Sequence, residues 1–177
     1  MPNTDLNTAL LVMDVQPGIV ERISDKDAYL ARVKSAVDHA HANDIRVIYV
    51  VVAFRPGAPE ASDYFRPFAP MVIGAKPVMT PAENDVVVEK KRISAFTGSD
   101  LEVLLRANGI RHLVLCGIAT SGVVLSTLRE AADKDYQMTV LSDLCADQDP
   151  EVHRVLLEKV FARQAKVVTV AEWIKAT

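Results

Sequence analysis

The sequence predicts an α/β protein of three layers, a mostly parallel six-stranded sheet covered by helices on both faces. Three observations carry this reading. Short apolar runs recur at 9–15, 45–54, 86–89, 113–116, 138–141 and 166–170, with the length and composition of buried parallel strands. Segments with apolar residues at helical spacing lie between most of them. Helix stop and start signals, Asn43-Asp44, Asn108-Gly109 and Asp149-Pro150, punctuate the alternation. Strands that alternate with helices build a parallel sheet buried on both sides.

Taken in order, residues 9–15 form the first strand, closed by Asp14-Val15-Gln16-Pro17-Gly18, where Pro and Gly enforce a turn. Ser24 or Asp25 is placed to cap a helix whose buried stripe is Leu30, Val33, Ala36/Val37 and Ala40. Residues 45–54 are the second strand. From Arg55 to Asn84 the rhythm stops, with prolines at 56, 59, 67, 70, 77 and 81. A long aperiodic segment inside a compact domain is a lid, a binding loop or a contact surface. Its aromatics, Tyr64, Phe65 and Phe68, suit covering a pocket or a neighbouring subunit, and equally suit stapling the segment to its own core.

Residues 86–89 are the third strand. Ser99 with Glu102 spells a capping box for a helix carrying Leu101, Leu104 and Leu105. The fourth strand, 113–116, is broken by Gly117, and Thr120 or Ser121 is placed to cap the helix of Val124, Leu125, Leu128 and Ala131/Ala132. The fifth strand is 138–141. Asp149-Pro150 opens a helix with the apolar face Val152, Val155/Leu156 and Val160. Residues 166–170 are the last strand, before a short helical tail with Trp173.

The 177 residues, half of them apolar and 24% charged with a net charge of −3, read as one globular domain spanning 1–177. The balance gives no support for nucleic-acid or membrane binding. The run 47–54 is too short to span a bilayer. The start, Met-Pro-Asn-Thr-Asp, lacks the basic flank and apolar stretch of a signal peptide. Cys116 and Cys145 read as reduced and inert, so a cytoplasmic location is expected. No phosphate loop or dinucleotide fingerprint occurs, and no cofactor is expected. His39, His41 and His153 fall on helices and His112 leads a strand; surface or capping roles are expected of all four, and no metal site.

Ligands of open parallel sheets bind beyond the carboxyl ends of the strands. Asp14 closes the first strand, Lys90 the third, and Thr120-Ser121 follow the fourth. Singly, each has a structural explanation: Asp14 orders the turn at Gln16-Pro17, Lys90 sits in the basic run Lys90-Lys91-Arg92 at a solvated strand end, and Thr120 or Ser121 caps. Together, Leu-Leu-Val-Met-Asp14-Val-Gln16, Lys90-Lys-Arg-Ile-Ser94-Ala95-Phe96 and Gly117-Ile-Ala-Thr120 resemble, in order, the motifs of the isochorismatase-like (cysteine hydrolase) superfamily. The resemblance covers nearly the whole chain and implies a Rossmann-like sheet with Asp14 as a catalytic residue. It also implies a non-proline cis peptide at Ala119–Thr120 shaping an oxyanion hole, and a homo-oligomer, with the proline-rich segment and Trp173 as contact surface.

The departure is at the nucleophile. Superfamily amidases carry Gly-x-x-Thr-x-x-Cys, and here that position is Val123, a hydrocarbon that cannot attack a carbonyl. The superfamily's isochorismatases also lack the thiol and cleave a vinyl ether with an Asp-centred mechanism. The Asp-x-His zinc pattern of some amidases is absent from Ala53-Phe54-Arg55-Pro56-Gly57. The resemblance therefore implies a hydrolase of a small carboxylated, amide or enol-ether metabolite, with Asp14 as acid/base and Lys90 as its electrostatic partner. Gln16, Ala119, Thr120 and Gly122 are expected to line the pocket, as are Arg55, which suits bracing the proline-rich segment equally well, and Phe96, for which packing in the core is the first expectation and stacking on a flat substrate the second. The alternative is an inactive member serving as a small-molecule-binding or oligomeric scaffold protein.

Overall fold

In the computed structural model, which describes residues 7–177, the strands are β1 (Thr8–Met13), β2 (Arg46–Val52), β3 (Val86–Lys90), β4 (His112–Ile118), β5 (Gln137–Ala146) and β6 (Lys166–Val168). The first residues, read above for a leader, lie outside the described ones. The six strands form one sheet in the order β3-β2-β1-β4-β5-β6, and every pairing is parallel. β1 sits between β2 and β4, so the chain goes one way from the centre for its first half and the other way afterwards. The crevice of such a sheet opens where that direction reverses, above the ends of β1 and β4.

Both faces are covered, which is why the strands read as continuous apolar runs rather than alternating ones. On one face Leu10, Val12, Tyr49 and Val114 meet α1 (Lys26–Ala42) through Tyr29, Val33 and Ala36, and α5 (Val170–Ala176) through Val170 and Trp173. On the other, Leu11, Met13, Ile48 and Leu113 meet α2 (Leu101–Ala107) through Leu101 and Leu105, and α3 (Leu125–Asp133) through Leu128. α4 (Pro150–Val155) continues through a further turn to Val160, and Leu156 packs on this second face. Among the described residues no helix is long and apolar enough to cross a membrane.

Several local expectations change. Gly117 does not break β4; it pairs with Met13 on one side and Cys145 on the other. Its φ of 150° and the absence of a Cβ let the β1 backbone come close, since a Cβ there would stand 2.2 Å from the Met13 carbonyl oxygen. Gly117→Ala is therefore expected to destabilise the protein by about 3 kcal/mol or more, read as a lowered urea midpoint. A stability within 1 kcal/mol of wild type would count against this close approach.

β5 runs to Ala146, five residues beyond the fifth strand read from sequence. Its pairing with β4 jumps from Leu115 opposite Val140 to Gly117 opposite Cys145, so residues 141–144 form a bulge against Cys116, and such bulges recur beside active sites. The Ser99–Glu102 capping box does not form. Ser99 Oγ accepts from the Leu101 N–H and donates to the Ala95 carbonyl, while Glu102 pairs with Lys134. A capping box occurs instead at Thr169 and Glu172. Neither Thr120 nor Ser121 caps; Ala119 occupies the cap position before a π-helical turn, Thr120–Val124, that leads into α3. Val152 is exposed rather than on the apolar face of α4, and Trp173 is buried against the His39 ring instead of offering contact surface.

Candidate active site

Asp14 is the first residue past β1 and turns the chain with φ at 56°, an uncommon conformation that Asp tolerates better than most residues. Its N–H donates to the Val50 carbonyl at 2.8 Å. Two residues on, the Gln16 side chain imitates a strand. Its Nε2 donates to the Val52 carbonyl at 3.0 Å, and its Oε1 accepts from the Val52 N–H at 2.9 Å. Gln16 is fully buried by this clamp, so it ties the tip of β1 to the tip of β2 rather than facing a ligand.

Lys90 ends β3 opposite Val52 and is only 1% exposed, not the solvated strand end its basic neighbours suggested. Its ammonium donates to the carbonyls of Arg92 and Ile93, each at 2.9 Å, and stands 3.0 Å from Asp14 Oδ2. An ammonium has three N–H groups, and these contacts match that number. The other carboxyl oxygen, Oδ1, is buried and has no hydrogen-bond partner. Burial pushes the Asp14 carboxyl above its ordinary range, and Lys90 beside it offsets only part of that.

Asp14 and Lys90 line a cleft of about 740 Å³ at the strand tips. One wall is the stretch after β4, with Ala119, Gly122 and Val123. The non-proline cis peptide is Ile118–Ala119, one bond before the predicted Ala119–Thr120. The opposite wall belongs to the proline-rich segment, through Tyr64, Phe65, Phe68 and Met71. Phe65 answers both readings of that segment, because it also packs edge-on against Phe54, 5.8 Å between ring centroids, beside the small core that Ala61, Ala69 and Val72 form with Val52 and Phe54.

Four expected lining residues stand elsewhere. Gln16 is held in its clamp. Arg55 is exposed, and its backbone N–H donates to Glu60. Phe96 packs in the core 6.0 Å from the Tyr136 ring, where an aromatic gains more from burial than from a solvent-facing wall. Thr120 is fully buried, its hydroxyl 2.8 Å from His153 Nδ1.

Three of the lining residues that sequence reasoning missed bear on the chemistry. His153, one turn into α4, lines the cleft rather than the surface; the available signal was that helices following parallel strands begin at the ligand edge of the sheet. Arg22, on the 3₁₀ turn Val20–Arg22, supplies the guanidinium expected of Arg55. Cys145 enters the wall because β5 bulges, and no periodicity announces a bulge. Burial pushes the Cys145 thiol up to about 12 and holds that of Cys116, on the other face of the sheet, well above its ordinary value. Neither is a ready thiolate, so iodoacetamide treatment is expected to leave turnover unchanged; its loss on stoichiometric alkylation would restore a thiol mechanism. Among the described residues no group of three or more His, Cys, Asp or Glu side chains is placed to hold a metal ion.

A buried carboxyl paired with an ammonium at the switch point of a parallel sheet, beside a cleft of small-molecule size, is the arrangement of a metabolite-processing α/β enzyme. The chain belongs to the isochorismatase family, whose domain model, "Isochorismatase domain", matches residues 8–172, and it is an isochorismatase-family hydrolase. It is 32% identical over 176 residues to the isochorismatase family protein YwoC of Bacillus subtilis, covering 95% of this chain and 93% of that one. A relative from Arabidopsis thaliana, described as a "probable inactive nicotinamidase", is 30% identical over 185 residues, covering 94% of both chains. An isochorismatase family protein from Burkholderia thailandensis has a solved structure that superposes with a TM-score of 0.82 at 28% identity, covering 97% of this chain and 96% of that one.

Proposed function

We propose that the protein hydrolyses a small carboxylated metabolite by acid/base chemistry centred on Asp14, with an enol ether as the preferred bond. The observation that carries this reading is the placement of Asp14, a buried carboxyl at the cleft, 3.0 Å from the Lys90 ammonium, whose proton affinity burial raises above the ordinary value. Enol-ether hydrolysis needs a proton donor and water rather than a protein nucleophile. Asp14 delivers its proton to the enol carbon, water adds to the resulting oxocarbenium carbon, and that water returns a proton to the Asp14 carboxylate. The hemiketal so formed collapses to a ketone and an alcohol. Amide hydrolysis in the family's thiol-dependent manner needs the group that Val123 replaces.

Lys90 keeps Asp14 oriented and sets its proton affinity; with two backbone carbonyls as further partners, it is anchored rather than mobile. Arg22 is the side chain suited to draw an anionic substrate to the mouth. A second reading, a member that binds a metabolite without turning it over, is favoured by the hydrocarbon at position 123 and by the Arabidopsis relative. Screening the purified protein against isochorismate, simple enol ethers and small amides separates the two. Turnover of an enol ether supports the first; saturable binding with no turnover of any of them supports the second.

A further inference from the structure

We infer that His153 is a second fixed point of the substrate site, donating a hydrogen bond from Nε2–H to an acceptor oxygen of the bound molecule, with Thr120 holding the ring in the tautomer this needs. The inference rests on the cleft being the substrate site, as proposed above.

Thr120 is buried completely, and the one side-chain hydrogen bond of its hydroxyl is the 2.8 Å contact with His153 Nδ1. A buried hydroxyl carries one proton that needs an acceptor, and leaving it without one costs about 1–3 kcal/mol. The Nδ1 lone pair is that acceptor. In the neutral imidazole the proton then belongs on Nε2, because the bond made by one ring nitrogen decides the state of the other.

Burial lowers the proton affinity of the ring, with the Asp147 charge opposing, which favours the neutral imidazole this bond requires. The backbone beneath it is also fixed. Asp149 caps α4 by accepting from the Glu151 and Val152 N–H groups, and Asp147 accepts from the Ser121 N–H, so the start of α4 is joined to the turn after β4. With Nδ1 engaged by Thr120, Nε2 is the ring nitrogen left to the cleft, and no described residue is shown hydrogen-bonded to it.

His153 follows β5, two strands from β1, about 10 Å across the sheet. A molecule spanning that interval presents its reacting bond to Asp14 and a polar end to His153. A neutral N–H donor suits a carboxylate, carbonyl or carbamoyl oxygen and leaves an ammonium end without a partner. Specificity then follows from the cost of an unpaired buried donor, which rejects analogues lacking the oxygen.

Long-range ¹H–¹⁵N spectra of the full-length protein, alone and titrated with benzoate as a carboxylate probe, test this. The expected results are a proton on His153 Nε2, a shift of that nitrogen on saturation with benzoate, and affinity about tenfold weaker in His153→Ala. Thr120→Val is expected to mix the tautomers and weaken benzoate by a smaller factor with an unchanged circular dichroism spectrum. His153→Gln, which keeps an N–H donor, is expected to recover part of the affinity. A proton on Nδ1, no benzoate binding at millimolar concentration, or binding that leaves His153 unshifted overturns the inference. Turnover is a separate readout: benzoate held by His153 in a protein that hydrolyses none of the screened compounds defeats the Asp14 chemistry and leaves this site standing.

Discussion

Asp14→Asn is expected to lower kcat on an enol-ether substrate by about 10²–10⁴-fold, the usual contribution of a positioned general acid, while leaving KM within a few-fold. The substitution keeps the shape of the side chain and an oxygen that can accept from Lys90, so the turn after β1 and the clamp at Gln16 survive. What disappears is the proton. The wild-type pH profile supplies the complementary check. A carboxyl held above its ordinary value near 3.8 stays protonated at higher pH than an exposed one. An acid role therefore predicts turnover that persists at low pH and falls as pH rises through that raised value. The asparagine variant is expected to show a low rate without that falling limb. Retained turnover in Asp14→Asn, or a wild-type rate that climbs with pH over the same range, would remove Asp14 from the proposed role.

Lys90→Met has the larger structural consequence, a loss of about 3–5 kcal/mol at neutral pH, typical of removing one partner from a buried ion pair. Methionine fills the channel of the lysine stem but donates nothing, so the Arg92 and Ile93 carbonyls and Asp14 Oδ2 all lose their partner. The pH dependence has a definite sign. Because the native carboxyl binds its proton more tightly than the unfolded chain does, its contribution to stability is present below the ordinary value. That contribution is lost as pH rises through the native one. Without the ammonium the native value moves further up, and the loss extends to higher pH. The gap between wild type and variant is expected to be smaller at pH 4 than at pH 7, measured by urea denaturation. An equal gap at both would mean that the ammonium serves the two carbonyls and not the carboxyl.

The sheet was readable because burial on both faces makes each strand a continuous apolar run, and because Asn-Gly and Asp-Pro mark the helix ends. The pair Asp14–Lys90 was readable for a related reason: polar residues at the close of buried strands stand out against such runs. Its burial was not, since Lys90 is followed by two more basic residues and nothing local distinguishes an ammonium folded inward from one left in water. Thr120 was misplaced, and Phe96, in the core as first expected, was also offered to the pocket, because strand-end position predicts nearness to the crevice but not which way a side chain points. Arg55 stands at a strand end but is exposed and does not line the cleft, whereas Arg22, on a short turn with no periodicity, does. The bulge in β5 and the close passage of β1 over Gly117 depend on contacts between strands far apart in the chain, which no window of sequence contains.

The Gln16 clamp separates two tasks that many enzymes leave entangled. Asp14, the proposed acid, follows central strands tied together by backbone-like bonds, whereas the aromatic wall of the cleft comes from residues 55–84, which pack on Val52 and Phe54 through Ala61, Ala69 and Val72. Replacing the exposed aromatics of that wall, Tyr64 and Phe68, alters what fits and leaves the packing under the Val52 clamp in place. New substrate preferences are therefore expected to be reachable by directed evolution of those two side chains, with the strand tips that hold Asp14 and Lys90 left as they are.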